Sequence, residues 1–210
     1  MYTIDSKALE RAVHDIIFAG REFSSRGWTP ATSSNFSVRL SPELLAVTVS
    51  GKDKGALTPS DVMVVDMAGA PVNDTRRPSA ETLLHCHAYR SRPDLGAVVH
   101  THSLAQTIVS KLFAEQGYVE LGDYELLKAF SGTATHETSI RIPVFANTQD
   151  MQALATRISE HEKSSPIPHG YLIDGHGIYT WGKDMAEARR QLDAFEFLFQ
   201  CELELRKLRL

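Results

Sequence analysis

Apolar residues recur at helical spacing near both ends of the chain. Between Asp5 and Ser25 the repeating positions are Leu9, Val13, Ile16, Ile17 and Gly20. This pattern predicts an amphipathic helix that Gly27 closes. Near the other end, a second set recurs at spacings of four, three and four, namely Ala188, Leu192, Phe195 and Phe199. It predicts a final helix with one buried face, capped at its start by Asp184.

Short apolar or alternating runs between these helices predict strands. They cover residues 36–39, 44–49, 62–66, 97–99, 142–145, 170–173 and 177–181. The last two runs predict a hairpin that bends at Asp174-Gly175-His176. Further helices are predicted at Ser79–Arg90, at Leu104–Phe113, at Asp123–Phe130 and, capped by Asn147 or Thr148, up to about His161. The mixture predicts a layered α/β or α+β fold in a single domain over residues 1–210.

Composition narrows the class of protein. The chain has 210 residues, of which 42% are apolar and 23% charged, enough for one domain with a full core. A net charge of −4 gives no basic field for nucleic acid, and no run approaches the roughly 18 to 20 apolar residues of a membrane span. Met1–Glu10 lacks the apolar run of a signal peptide, and Cys86 and Cys201 form no disulfide or zinc-finger pattern. We therefore expect a cytoplasmic protein that binds neither nucleic acid nor membrane.

Two histidines at the end of the strand at 97–99 are the first candidates for chemistry. Side chains two apart on a strand point to the same face, so His100 and His102 can present two imidazoles to one ion while Thr101 turns away. Catalytic zinc usually has three protein ligands and one open position, so a third ligand is required. The alternative is a strand end with two hydrogen-bonded histidines.

His85 and His87 have the same spacing but lie in a predicted helix. Residues two apart on a helix do not face each other, so this pair is a poor chelate. We expect both to serve helix packing and surface, and we expect Cys86 between them to pack rather than to act as a nucleophile.

The third ligand is predicted to be His176, which lies between two glycines at the bend of the hairpin. Flanking glycines let the backbone approach an ion closely. The alternative interpretation, a turn histidine exposed to water, remains open on these residues alone.

Two polar loops and one helix start are candidates for binding phosphate. Thr32–Asn35 offers hydroxyls and an amide, and Ser50-Gly51 with Lys52 and Lys54 offers a backbone nest with positive charge. Ser79 at a predicted helix start could add N–H groups. Neither loop matches a Walker or dinucleotide-binding motif, and most such loops are solvated turns.

Glu81 and Glu125 are the candidates for proton transfer. Each lies in the first turn of a predicted helix, where the alternative role is a favourable interaction with the helix dipole. No serine or cysteine nucleophile signature is present.

Taken together in their order, these motifs resemble the class II aldolase/adducin superfamily and, within it, the methylthioribulose-1-phosphate dehydratases of methionine salvage. The matching segments are Gly27–Asn35, Ser50–Gly55, Pro78–Glu81, His100–Ser103, Glu125–Lys128, Pro143–Asn147 and His176–Gly182. One departure is Ser34, where the family frequently has glycine in a Thr-Ser-Gly-Asn run; a serine narrows the loop for phosphate contacts from its backbone.

The resemblance implies a three-layer α/β/α fold with a central, mainly antiparallel sheet. It implies Zn²⁺ held by His100, His102 and His176, and commonly a C4 homotetramer with sites near subunit interfaces. The implied reaction is dehydration of 5-methylthioribulose 1-phosphate to 5-methylthio-2,3-dioxopentyl phosphate. Glu125 corresponds to the proposed acid/base of the dehydratases, and Glu81 to that of the aldolases. The implied phosphate ligands are Asn35, Ser50, Gly51, Lys54 and Ser79.

Two other functions remain open at this point. Glu81 suits a sugar-phosphate aldolase or 4-epimerase built on the same zinc site. A non-catalytic, adducin-like binding module is the third possibility, although a scaffold has no need for three histidines around an open metal position.

Overall fold

The computed structural model describes residues 2–208. Five α-helices are present in this part of the chain: α1 (Ser6–Ser25), α2 (Thr82–Ser91), α3 (Leu104–Leu112), α4 (Met151–Ser164) and α5 (Met185–Leu208). The strands are β1 (Asn35–Arg39), β2 (Leu44–Thr48), β3 (Val62–Asp66), β4 (Ala97–Thr101), β5 (Tyr118–Gly122), β6 (Ser139–Phe145), β7 (Gly170–Ile173) and β8 (Gly177–Gly182). Short 3-10 helices lie at Pro30–Thr32, Lys54–Ala56, Pro59–Asp61 and Glu125–Ala129.

The eight strands form one sheet in the order β3-β2-β1-β4-β8-β7-β6-β5. Every neighbouring pair is antiparallel except β6 and β7, which run parallel. In the centre of the sheet, β4 lies between β1 and β8, so Asn35 and Tyr179 are both cross-strand partners of His100. This register places polar residues from three strands around one point at the sheet's surface.

Two apolar cores show that helices cover both faces of the sheet. Side chains of α1, α3 and α5 pack with Phe36, Val99 and Ile178 on one face. Side chains of α2 and α4 pack with Val98 and Tyr179 on the other face. The predicted α/β class with three layers and a mainly antiparallel sheet is therefore confirmed. None of the described helices has both the length and the apolar character needed to cross a bilayer.

Most predicted elements are present, and the differences are the starts of two helices, the type of one helix and one additional strand. The prediction that Ser79 caps α2 is wrong, because the helix begins at Thr82 and the Ser79 carbonyl accepts the Thr82 N–H in a preceding turn. The caps proposed for α4 are also wrong: Asp150, further along the chain, accepts the N–H of Ala153 at 2.9 Å. The predicted helix at 123–130 is a 3-10 helix, and β5 was not predicted.

Candidate metal centre

His100 and His102 project from the end of β4 toward the same point. Their Nε2 atoms are 2.7 Å apart. The hydroxyl of Thr101, between them, donates instead to Gln106 at the start of α3. The side-chain alternation predicted from the strand is therefore present, and it brings the two imidazoles together.

His176 approaches the same point from the hairpin between β7 and β8. Its Nε2 lies 3.4 Å from that of His100. Gly175 supplies the positive φ of +61° that the bend requires, and the His176 N–H donates to the Ile173 carbonyl at 3.0 Å. The hydroxyl of Thr107 on α3 lies 3.1 Å from the His176 carbonyl, which ties the bend to the helix beside it.

Glu81 is the fourth member of the cluster. Its Oε2 lies 3.1 Å from Nε2 of His100, and its Oε1 lies 3.2 Å from Nε2 of His176. Asn35 and Tyr179 each donate to Oε2 at 2.9 Å. The structure thus brings Glu81 directly to the imidazoles, beyond a favourable interaction with the helix dipole.

The pKa values of His102, His176 and Glu81 suit metal binding. Burial, reinforced by the neighbouring imidazoles, lowers the pKa of His102 to about 2, and burial with His100 lowers that of His176 to about 4. Burial alone would raise the pKa of Glu81, but His100, His176 and the Asn35 hydrogen bond hold it well below its usual range. Neutral imidazoles and an ionised carboxylate are the forms that bind a metal ion.

A backbone carbonyl and a stacked tyrosine fix the orientation of the His100 ring. Its Nδ1 lies 2.8 Å from the carbonyl oxygen of Ile178, which can only accept a hydrogen bond. In the neutral, metal-binding form of His100 the proton is therefore on Nδ1, and the lone pair of Nε2 faces the other imidazoles. Tyr179 stacks on the same ring with centroids 4.1 Å apart, which restricts its rotation.

This donor set fits a divalent metal ion such as zinc. The four ligand atoms all lie within 4.8 Å of one another. Zn–N bonds of about 2.0–2.1 Å at tetrahedral angles separate two nitrogens by roughly 3.4 Å. The Nε2 atoms of His100 and His176 have this spacing, whereas those of His100 and His102, at 2.7 Å, would have to move apart around an ion. Three imidazoles with lone pairs turned to one point repel each other unless a cation lies between them. The residues therefore fit a metal held by His100, His102 and His176 with Glu81 beside it.

His85 lies directly behind this cluster, and its burial differs from the expected surface position. The ring is fully buried, and burial lowers its pKa to about 3. It contacts the Asn35 amide oxygen on one side and the Ser37 hydroxyl, at 2.6 Å, on the other. His87 and Cys86 are also buried, so the packing role predicted for this helix is confirmed and the surface role is wrong.

The candidate phosphate loops lie next to the cluster. The backbone carbonyl of Trp28, just before the 29–34 loop, accepts a hydrogen bond from the backbone N–H of His102 at 2.9 Å. The Ser50 N–H donates to the Arg77 carbonyl and the Ser79 N–H to the Thr48 carbonyl, so Ser50 and Ser79 are on adjacent segments. The structure thus brings Ser50, Gly51 and Ser79 into one region, although residues 51 and 79 are far apart in sequence.

Lys54 and Asn35 make contacts within the protein. The ammonium of Lys54 is buried and donates to the carbonyls of Thr32, at 3.2 Å, and Lys52, so it ties the two loops together. Burial lowers the pKa of Lys54 to about 8. The Asn35 side chain is hydrogen-bonded to Glu81 and His85. Phosphate binding by either side chain stays a prediction.

The loop before β1 has an unusual backbone. Ala31, Thr32 and Ser34 all have positive φ, at 52°, 58° and 74°. Residues with a Cβ disfavour positive φ, so a glycine at position 34 would adopt this backbone conformation at a lower energetic cost than serine.

Glu125 is not brought to the cluster within one chain. It begins the 3-10 helix after β5, and its side chain is 73% exposed. It pairs with Lys128 and lies 3.5 Å from Nδ1 of His136. The Lys128 hydrogen bond lowers the pKa of Glu125.

Tyr179 was not identified from the sequence. The signal was present in the pairing of strands, because antiparallel pairing of β8 with β4 sets Tyr179 opposite His100. That pairing joins segments far apart in the chain, and no local pattern predicts its register.

Comparison with known sequences agrees with this geometry. Residues 14–203 match the family model described as Class II Aldolase and Adducin N-terminal domain. A methylthioribulose-1-phosphate dehydratase of Stenotrophomonas maltophilia (strain K279a) is 56% identical over 207 residues, 99% of this chain and 97% of that protein. One of Xanthomonas campestris pv. campestris (strain 8004) is 60% identical over 189 residues, 90% of this chain and 87% of that protein.

Solved structures share the fold at lower identity. An L-fuculose 1-phosphate aldolase superposes with a TM-score of 0.79 at 22% identity, covering 98% of this chain and 89% of that one. The L-fuculose-1-phosphate aldolase of Thermus thermophilus gives 0.74 at 23% identity, covering 94% and 96%. The chain belongs to the class II aldolase and adducin family.

Proposed function

We propose that this protein is a zinc-dependent methylthioribulose-1-phosphate dehydratase of methionine salvage. It would convert 5-methylthioribulose 1-phosphate to 5-methylthio-2,3-dioxopentyl phosphate and water in the cytoplasm. The observation that carries the proposal is the 56–60% identity, over nearly the full length, to relatives that bear this enzyme's name. The cluster of three histidines and Glu81 supports it, because a scaffold would not need such a site.

The metal would be Zn²⁺, held by His100, His102 and His176. Histidine nitrogens with a carboxylate nearby are a donor set that zinc favours. When bound, the ion would supply Lewis-acid polarisation of the substrate's C2 carbonyl.

Two carboxylates would divide the remaining work. Glu125 would remove the C3 proton. The same group or a nearby acid would then protonate the C4 hydroxyl, which would depart as water. Tautomerisation of the resulting enol gives the 2,3-diketone. Glu81, which lies among the imidazoles, would hold the metal ligands in position and is the alternative acid/base.

The phosphate would be held where the loops converge. Ser50, Gly51 and Ser79 have adjacent backbones, and Lys54 contributes charge close enough to lower the pKa of His102. A contact between Asn35 and the phosphate would need the main chain of Asn35 or a rearranged amide, since its side chain is already hydrogen-bonded to Glu81 and His85. Binding the phosphate there would fix the carbon chain relative to the imidazoles.

A homotetramer would bring Glu125 to an active site. Glu125 is exposed and lies apart from the cluster of its own chain, so we propose that it acts at the cluster of a neighbouring subunit.

Exposed apolar side chains on α3 support self-association. Leu104, Ile108 and Leu112 are one helical turn apart, and Leu104 is 77% exposed. They line a groove of about 910 Å³ against the end of α5. Contiguous exposed apolar surface is typical of subunit interfaces.

The decisive experiment is mass spectrometry of the products formed from 5-methylthioribulose 1-phosphate. Loss of one water from an otherwise intact carbon chain supports dehydration. Two smaller fragments would instead identify a class II aldolase. That second function is favoured by the position of Glu81 at the cluster, and the likeness to the aldolase structures supports the shared fold.

A further inference from the structure

We propose that the Asn35–His85 pair is a positioning device that holds the carboxylate of Glu81 in one orientation against the metal centre. The inference deepens the proposed function and rests on its metal centre, not on the identity of the substrate. It starts from an unbroken chain of hydrogen bonds, buried except for the partly buried last link, that runs from Tyr89 through Ser37, His85 and Asn35 to Glu81.

Each link in this chain has only one possible direction. An ionised carboxylate can only accept, so the group that Asn35 turns to Glu81, at 2.9 Å, is its amide Nδ2. The amide oxygen of Asn35 therefore faces Nε2 of His85 and accepts its proton. A neutral imidazole then has a lone pair on Nδ1, which takes the hydroxyl proton of Ser37 at 2.6 Å.

The other end of the chain fixes Ser37. The hydroxyl of Tyr89 lies 3.0 Å from both the side-chain and the main-chain oxygen of Ser37 and donates to that residue. Tyr89, Ser37 and His85 are all fully or almost fully buried, so water cannot readily replace a lost partner. Reversing any single group would set two donors or two acceptors against each other, at a cost of about 1–3 kcal/mol for a buried polar group.

The fold places these groups on rigid elements. Glu81 is the N-cap residue of α2 and His85 lies one turn further along, so both face the sheet from the same end of this helix. Asn35 and Ser37 are two apart on β1 and therefore point to the same face, and Asn35 is the cross-strand partner of His100. The device thus ties the carboxylate to the strand next to the one that carries His100.

The result is that the two oxygens of Glu81 have different roles. Oε2 accepts from Asn35 and Tyr179, whereas Oε1 faces the imidazole of His176 and has no hydrogen bond to another residue in the described structure. Without His85, the Asn35 amide could turn its oxygen toward Glu81, repel the carboxylate and displace it from the imidazoles.

The test compares His85→Phe with His85→Gln. Phenylalanine fills the space but cannot donate to Asn35, whereas the glutamine amide can. We expect His85→Phe to lower Zn²⁺ affinity, measured by competition with a chelator, by about 10- to 100-fold, the usual effect of losing a group that orients a metal ligand. We also expect a changed visible spectrum of the Co²⁺-loaded protein. His85→Gln should recover most of the affinity and the spectrum.

His87→Phe is the matched control, because His87 is a buried histidine of the same helix outside this chain of hydrogen bonds; it should retain wild-type affinity. Equal losses in His85→Phe and His85→Gln, or wild-type affinity in a folded His85→Phe, would overturn the proposal. If His85→Phe does not fold, Ser37→Ala decides: a smaller loss in the same direction supports the proposal, and unchanged affinity refutes it. A wild-type protein that binds Zn²⁺ but does not turn over the sugar phosphate would contradict the proposed function alone.

Discussion

The α-carbon of Gly177 packs against the carbonyl oxygen of Thr101. A Cβ built at Gly177 would lie 2.0 Å from that oxygen, far inside van der Waals contact. Thr101 lies between His100 and His102, and Gly177 follows His176. Together with the pairing of β4 and β8, this close backbone contact helps to set the distance between the strand that carries two imidazoles and the hairpin that carries the third.

Gly177→Ala should separate the hairpin from β4 and weaken the metal site. The clash is with backbone, so relief requires movement of a strand and should cost about 1–3 kcal/mol of stability. We expect Zn²⁺ affinity to fall at least about tenfold, since ligand orientation sets affinity on this scale. Gly122→Ala is the matched control, because a Cβ there meets only ordinary contacts at 3.4 Å or more. Similar metal affinity in the two variants would show that the close approach does not position His176.

Glu81→Gln and Glu125→Gln should affect different measurements. Loss of charge at Glu81 removes the carboxylate among the imidazoles, so we expect weaker Zn²⁺ binding. Glu125 is exposed and outside the cluster, so Glu125→Gln should keep wild-type metal content. If Glu125 is the base, its turnover of 5-methylthioribulose 1-phosphate should fall by about 10²- to 10⁴-fold.

Glu137→Gln, at an exposed position in the segment that follows Glu125, is the control for that experiment and should remain fully active. Wild-type turnover by Glu125→Gln would remove its assigned role. Full loss of turnover by Glu81→Gln with metal retained would transfer the role of base to Glu81.

Local patterns predicted the members of the candidate metal centre to the extent that their positions depend on local structure. His100 and His102 follow from strand alternation, and His176 from a bend between two strands. The position of Glu81 depends on the packing of α2 against β1 and β8, and Asn35 lies 46 residues from its partner carboxylate. Such contacts are set by tertiary packing, which no short window of sequence specifies.

The strand β5 shows a different limit. Val119 and Leu121 are buried while Glu120 between them is exposed, the alternation expected of a strand. A similar alternation predicts the strand at 36–39, so the local signal for β5 was present, but β5 lies at the edge of the sheet and its pairing with β6 is set by tertiary structure.

Ser34→Gly should stabilise the protein. Ser34 has φ +74°, a conformation that costs a residue with a Cβ roughly 1–2 kcal/mol. Glycine would avoid this strain but would lose about 0.5–1 kcal/mol of stability, because its unfolded chain has more conformational freedom. Denaturant unfolding should therefore show an increase of about 0.5–1 kcal/mol. Ser33→Gly is the control: φ there is −68°, so only the entropic cost applies and stability should fall. A decrease in both variants would mean that the Ser34 side chain, whose hydroxyl reaches the Trp28 carbonyl, outweighs the strain.

Leu104→Glu with Leu112→Glu should reduce the size of the assembly. Both side chains are exposed on α3 and line the groove beside α5, so burying two charges there in an interface would be unfavourable. Light scattering after size exclusion should show a tetramer for the wild type and smaller species for the double variant. Gln152→Glu, which adds charge to the exposed surface of α4, should leave the wild-type mass. A monomeric wild type would contradict the proposed assembly.

The stability of the protein should depend on pH through Lys54. Burial lowers its pKa in the folded state from 10.5 to about 8. Between these values the unfolded chain holds a proton that the folded protein has released, so stability rises with pH across this window. Relative to Lys54→Met, the wild type should therefore gain up to roughly 3 kcal/mol of unfolding free energy from about pH 8 to about pH 10.5. Lys163→Met, at an exposed lysine, should show a difference from wild type that changes little with pH. A flat difference for Lys54→Met would mean that its ammonium, held by the Thr32 and Lys52 carbonyls, is as well solvated as in water.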